Sequence, residues 1–254
     1  MITIITATYN ADRFLVNLLE SVVPQLSKNV ELVLIDGGST DKTIEIIEQY
    51  EQHVAYWISE KDAGIYDAWN KGLRNAKGDW IMFLGADDML RKDAIAQYEK
   101  FLDSIPNSHE LHIVSSKAQM LDQSGKSIRV KGWEWKWPEF LKEMTISHPG
   151  ALHSKKLFEQ YGVFDISYKI TGDYELLLRP RQQLKAAFMD EITVDMSEGG
   201  ASDSTRAIKE HLRAAVHTGG ANELSAKMNA RVVLTKFLIK KLSRKAGLNV
   251  YLKK

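Results

Sequence analysis

Alternating strand-like and helix-like segments occupy residues 2–88, and this alternation restricts the possible folds of the chain more than any other feature. Short β-branched runs such as "ITIITA" (2–7) and "VELVLID" (30–36) are each followed by apolar residues at helical spacing. Strand, helix, strand, helix, continued to a fourth strand, is typical of a parallel sheet with right-handed crossovers. The sequence therefore predicts an α/β fold with a mostly parallel sheet flanked by helices.

All four predicted strands end in polar residues. In parallel sheets, ligands bind outside the carboxyl ends of the strands. Three of the four ends contain carboxylates, so a functional site is predicted at this edge of the sheet. The ends are "TATYN" (6–10), "IDGGST" (35–40), "SEKDAG" (59–64) and "GADD" (85–88).

The composition is that of a globular protein with room for a core: 254 residues, 44% hydrophobic and 26% charged. The formal net charge of +1 does not favour a nucleic-acid partner. Cysteine is absent, which excludes disulfides, thiolate metal sites and cysteine nucleophiles. The start "MITIITATYN" lacks a secretory signal, and no apolar run approaches the roughly 20 residues that span a bilayer. A cytoplasmic protein is expected.

Several common catalytic and phosphate-binding motifs are missing. The chain contains neither G-x-G-x-x-G after the first strand nor the phosphate loop G-x-x-x-x-G-K-[ST]. It also lacks the zinc motif H-E-x-x-H and the nucleophile elbow G-x-S-x-G. The carboxylates at the strand ends therefore remain as the main candidates for chemistry.

Two adjacent carboxylates, Asp87 and Asp88, end the apolar run from Trp80 to Leu84. Burying such charge costs several kcal/mol unless something compensates it. Oxygen ligands of this kind suit Mg²⁺ or Mn²⁺, which bind through one or two carboxylates together with substrate phosphates. The alternative is that "ADD" caps the next helix, because Asp is a good N-cap residue.

Two further residues stand at the strand ends. Tyr9, just past a buried strand, is placed to stack on a nucleobase, or else it is an aromatic at the edge of the core. Asp36 is placed to accept a hydrogen bond from a base N–H, or else it caps the "GGST" turn.

In the third helix, Ile65, Trp69 and Leu73 form an apolar stripe that is expected to face the sheet. Asn70 and Lys71 would then lie on other faces of that helix, together with Asp67.

Taken together, these segments resemble the nucleotide-sugar-binding half of family 2 glycosyltransferases with the GT-A fold. The resemblance is dense over about the first 90 residues and thinner beyond them. It is carried by "TATYN" (6–10), "VLIDGGSTDKT" (33–43), "SEKDAGIYDAWNKG" (59–72), "GDWIMFLGADD" (78–88), "SHPG" (147–150) and "GDYELLLR" (172–179).

The resemblance implies a role for each matching residue. Tyr9 would stack on the base, Thr8 would lie near the ribose, and Asp36 would read the base, taken as uracil. Asp62 and the following helix would border the nucleotide and the sugar. The nucleotide-binding residues implied are Thr8, Tyr9, Asn10, Asp36, Gly38, Asp62, Asn70, Lys71, Ala86 and Asp87.

The resemblance also implies a metal site. Asp87 and Asp88 occupy the family's D-x-D position and would contact the ribose and a Mn²⁺ or Mg²⁺ ion. Gly85 stands where many members have Asp or Asn, which leaves the number of protein ligands open.

The general base of an inverting member would be Asp173, with Glu175 as the second choice. The alternative for Asp173 is a helix cap. His148 would line the acceptor site or the diphosphate, or it is a structural histidine. The "GGAS" segment (199–202) is either a loop that closes over the donor or an ordinary turn.

The predicted domain comprises residues 1–202, with a nucleotide-binding half (1–90) and an acceptor-binding half (91–202). Residues 203–254 are predicted as a helical basic extension. From Lys236 onward this extension has cations and no acidic side chain. Either it contacts the inner face of the plasma membrane as a basic amphipathic helix, or it is a solvated helix that packs on its own domain.

The expected function is transfer of a hexosyl or N-acetylhexosaminyl group from a UDP-sugar to a hydroxyl. The acceptor would be a glycan or a polyprenyl-diphosphate-linked sugar in cell-surface polysaccharide or lipopolysaccharide synthesis. Two alternatives remain open. A sugar-phosphate nucleotidyltransferase would normally have a Gly-rich basic loop after the first strand, and "TATYNADRF" has none. A non-catalytic nucleotide-sugar sensor would not depend on Asp173.

Overall fold

A computed structural model describes residues 1–122 and 124–245 of the chain. The strands among these residues are β1 (Ile2–Thr8), β2 (Val30–Asp36), β3 (Tyr56–Ser59), β4 (Trp80–Gly85), β5 (Met89–Leu90), β6 (Ile113–Leu121), β7 (Ser127–Lys131), β8 (Leu152–Ser154) and β9 (Ala186–Ser197).

Helices follow most of these strands. They are α1 (Leu15–Val22), α2 (Thr43–Gln49), α3 (Ile65–Asn75), α4 (Ala94–Ser104), α5 (Trp137–Phe140), α6 (Lys155–Tyr161), α7 (Gly172–Leu178), α8 (Thr205–His217) and α9 (Glu223–Lys245).

All these strands belong to one mixed sheet with the order β3-β2-β1-β4-β8-β6-β9-β5, and β7 pairs with β6. The first four strands are parallel, as the alternation in the sequence predicts. Antiparallel pairing begins at β8, which lies between β4 and β6. The register aligns Thr8 with Asp36 and Ala7 with Gly85, so the carboxyl ends of β1, β2 and β4 meet at one edge.

Each face of the sheet is covered by its own hydrophobic core, because successive side chains of a strand point to opposite faces. Ile5, Val33 and Phe83 belong to the core under α3 and α7, whereas Ile4 and Leu32 belong to the core under α1 and α4. The strands are therefore buried on both sides, which explains their nearly continuous apolar sequence.

The apolar stripe predicted for helix α3 is confirmed in part. Trp69 is buried and Leu73 packs against the same core, whereas Ile65 is 37% exposed and Tyr66 is buried in addition. Gly72 permits this packing, because a Cβ atom there would lie 2.4 Å from Ile5 Cγ2. The polar Asn70 consequently lies inside the protein.

The last two helices differ in their packing. Helix α8 contributes Ala214 and Ala215 to the core under α3, so it packs on the domain predicted for residues 1–202. Helix α9 leaves large apolar side chains such as Leu224 and Leu242 exposed. No helix in the described ranges is both long and apolar enough to cross a membrane. Residues 246–254 of the predicted basic extension lie outside the described residues.

Candidate active site

The carboxylate of Asp36 organises the turn after β2. It is fully buried and accepts hydrogen bonds from the backbone N–H groups of Gly38 and Ser39 at 2.9 and 2.8 Å. The hydroxyls of Ser39, Ser59 and Thr8 also donate to it, at 2.5, 2.7 and 3.0 Å. These donors lower the pKa of Asp36 although burial alone would raise it.

This network bears on two residues that the resemblance assigns to the nucleotide. Both oxygens of Asp36 accept hydrogen bonds from protein donors, so the carboxylate caps the turn. The Thr8 hydroxyl is buried and directed at Asp36. Gly38 adopts φ +85°, a left-handed conformation that completes the same turn.

Tyr9 and Asn10 lie above this turn. Asn10 also has positive φ, and its Oδ1 accepts the backbone N–H of Thr40 at 2.9 Å. Its own N–H donates to the Ser39 hydroxyl at 2.8 Å, so Asn10 joins the ends of β1 and β2. The adjacent Tyr9 ring is 65% exposed and is available as a flat surface for stacking.

Asp62 stands beside the Tyr9 ring. A Cβ atom built on Gly37 would lie 2.7 Å from Asp62 Oδ2 and 3.4 Å from Tyr9 Cδ2. The other oxygen of Asp62 accepts the backbone N–H of Gly64 at 2.8 Å. One Asp62 oxygen is thus held by the loop, while the other points into the space above Gly37.

The carboxylates of Asp87 and Asp88 converge at the end of β4. A Cβ atom on Gly85 would lie 3.0 Å from Asp87 Oδ1 and 3.2 Å from Asp88 Oδ2. Asp88 is buried and accepts the backbone N–H of Gly85 at 2.7 Å, whereas Asp87 is exposed. Burial, and then repulsion from Asp87, raise the pKa of Asp88 to about 8.

This pair fits a divalent cation. Its Asp88 carboxylate is buried next to a second carboxylate, and both features disfavour the charged form in the absence of a cation. Within residues 1–122 and 124–245, no group of three potential metal-ligating side chains converges. Two carboxylate ligands with phosphate oxygens completing the coordination is how Mg²⁺ and Mn²⁺ commonly bind. Ala86 lies in the turn between Gly85 and this pair.

Asp173 lies in the first turn of α7, beside Tyr66 of α3. The Tyr66 hydroxyl is 3.0 Å from Asp173 Oδ1 and 2.7 Å from the carbonyl oxygen of Ile170, and its single proton serves one acceptor at a time. The N-cap position of α7 belongs to Thr171, so Asp173 is not the cap residue. Burial raises the pKa of Asp173 despite the hydrogen bonds to its carboxylate.

Helix α3 connects these groups, because it begins directly after the Asp62 loop and carries Tyr66 to Asp173. Lys71 of α3 anchors this loop by an ion pair with Glu60 at 2.8 Å and a hydrogen bond to the Lys61 carbonyl at 2.9 Å. The ammonium group of Lys71, which the resemblance assigns to the nucleotide, is therefore paired within the protein.

Asn70, which the resemblance assigns to the nucleotide, is buried. Its side chain exchanges hydrogen bonds with the backbone of Phe164 at 2.9 and 3.0 Å. Both ends of its amide group are thus paired, so Asn70 fixes α3 to the segment after α6.

Glu175 and His148 also lie within the protein. Glu175 is buried and pairs with Arg179 at 2.6 Å, and Thr218 donates to its other oxygen at 3.0 Å. His148 is 4% exposed and packs against the rings of Trp69 and Phe83. Both side chains, which the resemblance assigns to the acceptor or the diphosphate, are thus buried in this structure.

The sequence reasoning missed two residues that surround Asp173. Tyr66 belongs to the "GIYDAWNKG" motif, but the predicted apolar stripe of this helix did not include it. His211 of α8 stacks on Tyr174 with a ring distance of 4.1 Å, and burial lowers the pKa of His211 although nearby Asp173 opposes the shift. No local pattern identifies His211, since α8 is distant in sequence.

A segment between β9 and α8 borders the carboxylate pair. The Ser197 hydroxyl donates to the Asp87 carbonyl oxygen at 3.4 Å. Beyond it, Glu198 and Asp203 both form ion pairs with Lys240 of α9, at 3.1 and 3.0 Å. A Cβ atom on Gly199 or Gly200 would meet no atom within 4 Å, so the predicted "GGAS" loop is open to its surroundings.

The sheet and its flanking helices have the arrangement of the GT-A fold, with acidic side chains at the carboxyl edge of the parallel strands. The sequence profile of Glycosyl transferase family 2 matches residues 3–159. This match covers more than half of the chain, and the chain belongs to that family.

Curated relatives extend the similarity beyond the family profile. The PGL/p-HBAD biosynthesis glycosyltransferase of Mycobacterium bovis is 29% identical over 220 residues, covering 84% of this chain and 83% of the relative. An uncharacterized glycosyltransferase of Rickettsia typhi is 26% identical and covers 83% of this chain and 68% of its own length.

Solved structures share the fold at low sequence identity. TarS of S. aureus in complex with UDP-GlcNAc superposes with a TM-score of 0.66 at 16% identity, over 90% of this chain and 70% of that one. This chain spans 42% of a longer TarS chain. A mannosyltransferase of Pyrobaculum calidifontis in complex with GDP-Man and Mn²⁺ gives 0.63 at 18% identity, over 98% and 80% of the two chains.

Proposed function

We propose that the protein is a metal-dependent inverting glycosyltransferase that uses a UDP-sugar and transfers a hexosyl or N-acetylhexosaminyl group to a hydroxyl. The observation that carries this proposal is the presence of two separate acidic groups in different environments. The carboxylates of Asp87 and Asp88 converge at the end of β4, while Asp173 stands apart in a hydrogen bond with Tyr66.

Each residue would have a distinct task. The Tyr9 ring stacks on the base, and Asp87 and Asp88 hold the cation and the nucleotide. A bound Mn²⁺ or Mg²⁺ supplies positive charge for the diphosphate oxygens. The acceptor oxygen attacks the anomeric carbon, its proton passes to Asp173, and the bond to the diphosphate breaks. A single displacement of this kind inverts the anomeric configuration.

The raised pKa of Asp173 suits this role, because a carboxylate with a higher pKa is a stronger base once ionised. Tyr66 positions the carboxylate, and Gly172 allows the close packing. A Cβ atom on Gly172 would lie 2.9 Å from the Tyr66 ring.

The acceptor is proposed to be a glycan or a lipid-linked sugar at the cytoplasmic face of the plasma membrane, in surface-polysaccharide or lipopolysaccharide synthesis. Helix α9 supports this proposal. Its exposed surface carries Leu238 and Leu242 together with Lys236 and Lys241. Apolar and cationic side chains on one exposed helix are suited to an anionic membrane surface.

A thermal-shift screen of nucleotide sugars with and without Mn²⁺ tests the donor part of the proposal. A UDP-sugar is expected to raise Tm only with the cation, because a ligand that binds the folded state stabilises it according to its affinity. Absence of Mn²⁺-dependent stabilisation by any nucleotide sugar would contradict the proposal. Formation of UDP-sugar and pyrophosphate from UTP and a sugar 1-phosphate would instead identify a nucleotidyltransferase.

A further inference from the structure

The side chain that reads the nucleobase has to lie beside Tyr9, since that exposed ring is the stacking surface. Asp36 lies nearby, but it is fully buried and its two oxygens are occupied by protein donors. A carboxylate in this state cannot accept another hydrogen bond without losing one that it already makes. Another acceptor is needed for the edge of the base.

Gly37 provides the space for that acceptor. Its absent side chain leaves a gap, and Asp62 Oδ2 reaches within 2.7 Å of the position that a Cβ atom would occupy. The same position lies 3.4 Å from the Tyr9 ring. The carboxylate therefore borders the stacking surface although it comes from a different strand end.

The position of Asp62 is fixed by its surroundings. Its Oδ1 accepts the Gly64 N–H at 2.8 Å, which leaves Oδ2 directed at the gap. Lys71 anchors the two preceding residues through Glu60 and the Lys61 carbonyl. In the described part of the chain, Oδ2 of Asp62 has no hydrogen-bond donor from the protein.

We infer that Asp62 Oδ2 selects the base by accepting its ring N–H. This inference rests on the proposed function, because it assumes that a base stacks on Tyr9. Uracil presents an N3–H donor, and guanine an N1–H donor, at the corresponding edge. Cytosine and adenine present a ring nitrogen that is an acceptor, so the carboxylate would repel them and leave a buried acceptor unpaired.

The test compares the dissociation constants of UDP and CDP, measured by calorimetry with Mn²⁺. The unmodified protein is expected to bind UDP at least about tenfold more tightly than CDP. A factor of this size corresponds to the free energy of one hydrogen bond to a charged group. Asp62→Ala should remove this preference, mainly by weakening the binding of UDP. Asp62→Asn should increase the affinity for CDP relative to UDP, because the amide also offers an N–H donor.

A transplanted carboxylate provides the sharper test. The backbone of Gly37 lies outside the left-handed region, so Asp can be introduced there. Gly37→Asp alone should weaken UDP binding, because the new side chain collides with Asp62. The double variant Gly37→Asp with Asp62→Ala should regain the preference for UDP, since a carboxylate again occupies the same space.

The outcomes separate this inference from the proposed function. An unchanged ratio of UDP to CDP affinity in Asp62→Ala, or an equal loss of both, would overturn the inference alone. If the unmodified protein bound neither nucleotide with Mn²⁺, the proposed function and the inference would fail together. Circular dichroism and Tm of each variant show whether the fold is retained.

Discussion

Two glycines allow the site to form from carboxylates that are supplied by neighbouring positions. Gly37 leaves the space that Asp62 enters, and Gly85 leaves the space on which Asp87 and Asp88 converge. A Cβ atom on Gly37 would collide with Asp62 Oδ2 at 2.7 Å, and one on Gly85 would be in tight contact with Asp87 Oδ1 at 3.0 Å. The absent side chains therefore give these carboxylates their space.

Asp173→Asn tests the proposed base at this scale. The amide retains the shape and the contact with Tyr66 but cannot accept a proton. We expect kcat to fall about 10²- to 10⁴-fold, while the UDP-sugar still stabilises the protein with Mn²⁺. Turnover assays and thermal shifts measure the two effects.

Asp103→Asn is the matched control, because Asp103 is exposed on α4. Unchanged turnover in Asp173→Asn would mean that Asp173 is not the base. Loss of turnover together with loss of donor binding would indicate a structural role instead.

Asp88→Asn is expected to change the pH dependence of stability in the metal-free protein. The pKa of Asp88 is about 8 in the folded protein, whereas the pKa of the unfolded carboxyl is 3.8. The folded state therefore binds the extra proton between these values, and stability falls as pH rises through them. Asn removes this slope, which is worth at most about 1.4 kcal/mol per pH unit.

Urea denaturation with EDTA at pH 5 and pH 8 measures this effect. The variant should exceed the unmodified protein in stability at pH 8 by more than it does at pH 5. It should also lose the stabilisation by UDP and Mn²⁺. A parallel decline of both proteins with pH would contradict the assigned environment of Asp88.

At the scale of secondary-structure elements, α3 and α9 connect regions that are distant in sequence. Helix α3 follows the Asp62 loop and carries Tyr66 to Asp173 of α7. Helix α9 carries Lys240, which pairs with Glu198 and Asp203 in the segment that follows β9. Because that segment begins beside Asp87, the last helix is connected to the candidate cation site.

Lys240→Ala is expected to loosen the segment from Glu198 to Asp203. Removing the shared cation takes one ion pair from each of two neighbouring carboxylates, which favours opening of the loop. Hydrogen exchange of residues 198–203 should accelerate, while exchange in β1 stays the same. The control is Lys241→Ala, the exposed neighbouring lysine, and an equal acceleration in both variants would contradict the connection.

Helix α9 is also expected to mediate membrane binding. Replacing Leu238 and Leu242 by Ser removes two exposed apolar side chains and should reduce sedimentation with anionic liposomes. The same double replacement should change the free energy of unfolding by no more than about 1 kcal/mol, because both side chains already face outward. Equal sedimentation of the two proteins would remove the membrane proposal.

At the scale of the whole molecule, the core under α3 contains two buried histidines, and their rings lie 4.7 Å apart. Burial lowers the pKa of His148 to about 3 and that of His153 well below its usual value. Both rings are therefore neutral in the folded protein. The surrounding aromatic side chains, Trp69, Phe83 and Phe164, pack against His148.

This arrangement predicts sensitivity to acid. Below about pH 6.5 the unfolded histidines take up protons that the folded ones do not, so stability falls as pH decreases. His148→Phe should flatten this decline by up to about 1.4 kcal/mol per pH unit. Chemical denaturation between pH 4 and 7 measures the slope of stability against pH, with the surface variant His53→Gln as control. Equal slopes in His148→Phe and His53→Gln would contradict the prediction.

The site could be predicted from the sequence only in part. The strand ends, the exposed Tyr9 and the adjacent Asp87 and Asp88 follow from local pattern and from the rule that parallel strands end at one edge. Roles for Asn70, Lys71 and Asp36 at the nucleotide are implied by the family resemblance alone. Only packing shows that their polar groups are paired with Phe164, with the Asp62 loop and with the turn after β2.

The sequence by itself determined the alternation of β1 to β4 and the edge at which the acidic residues meet, because burial on both faces demands continuous apolar strands. The tertiary structure decided that Tyr66 and not Ile65 of α3 is buried. It also decided the burial of His148 and the proximity of Asp62 to Tyr9. These features depend on contacts between segments far apart in the chain, such as Gly72 against Ile5, and no local periodicity encodes them.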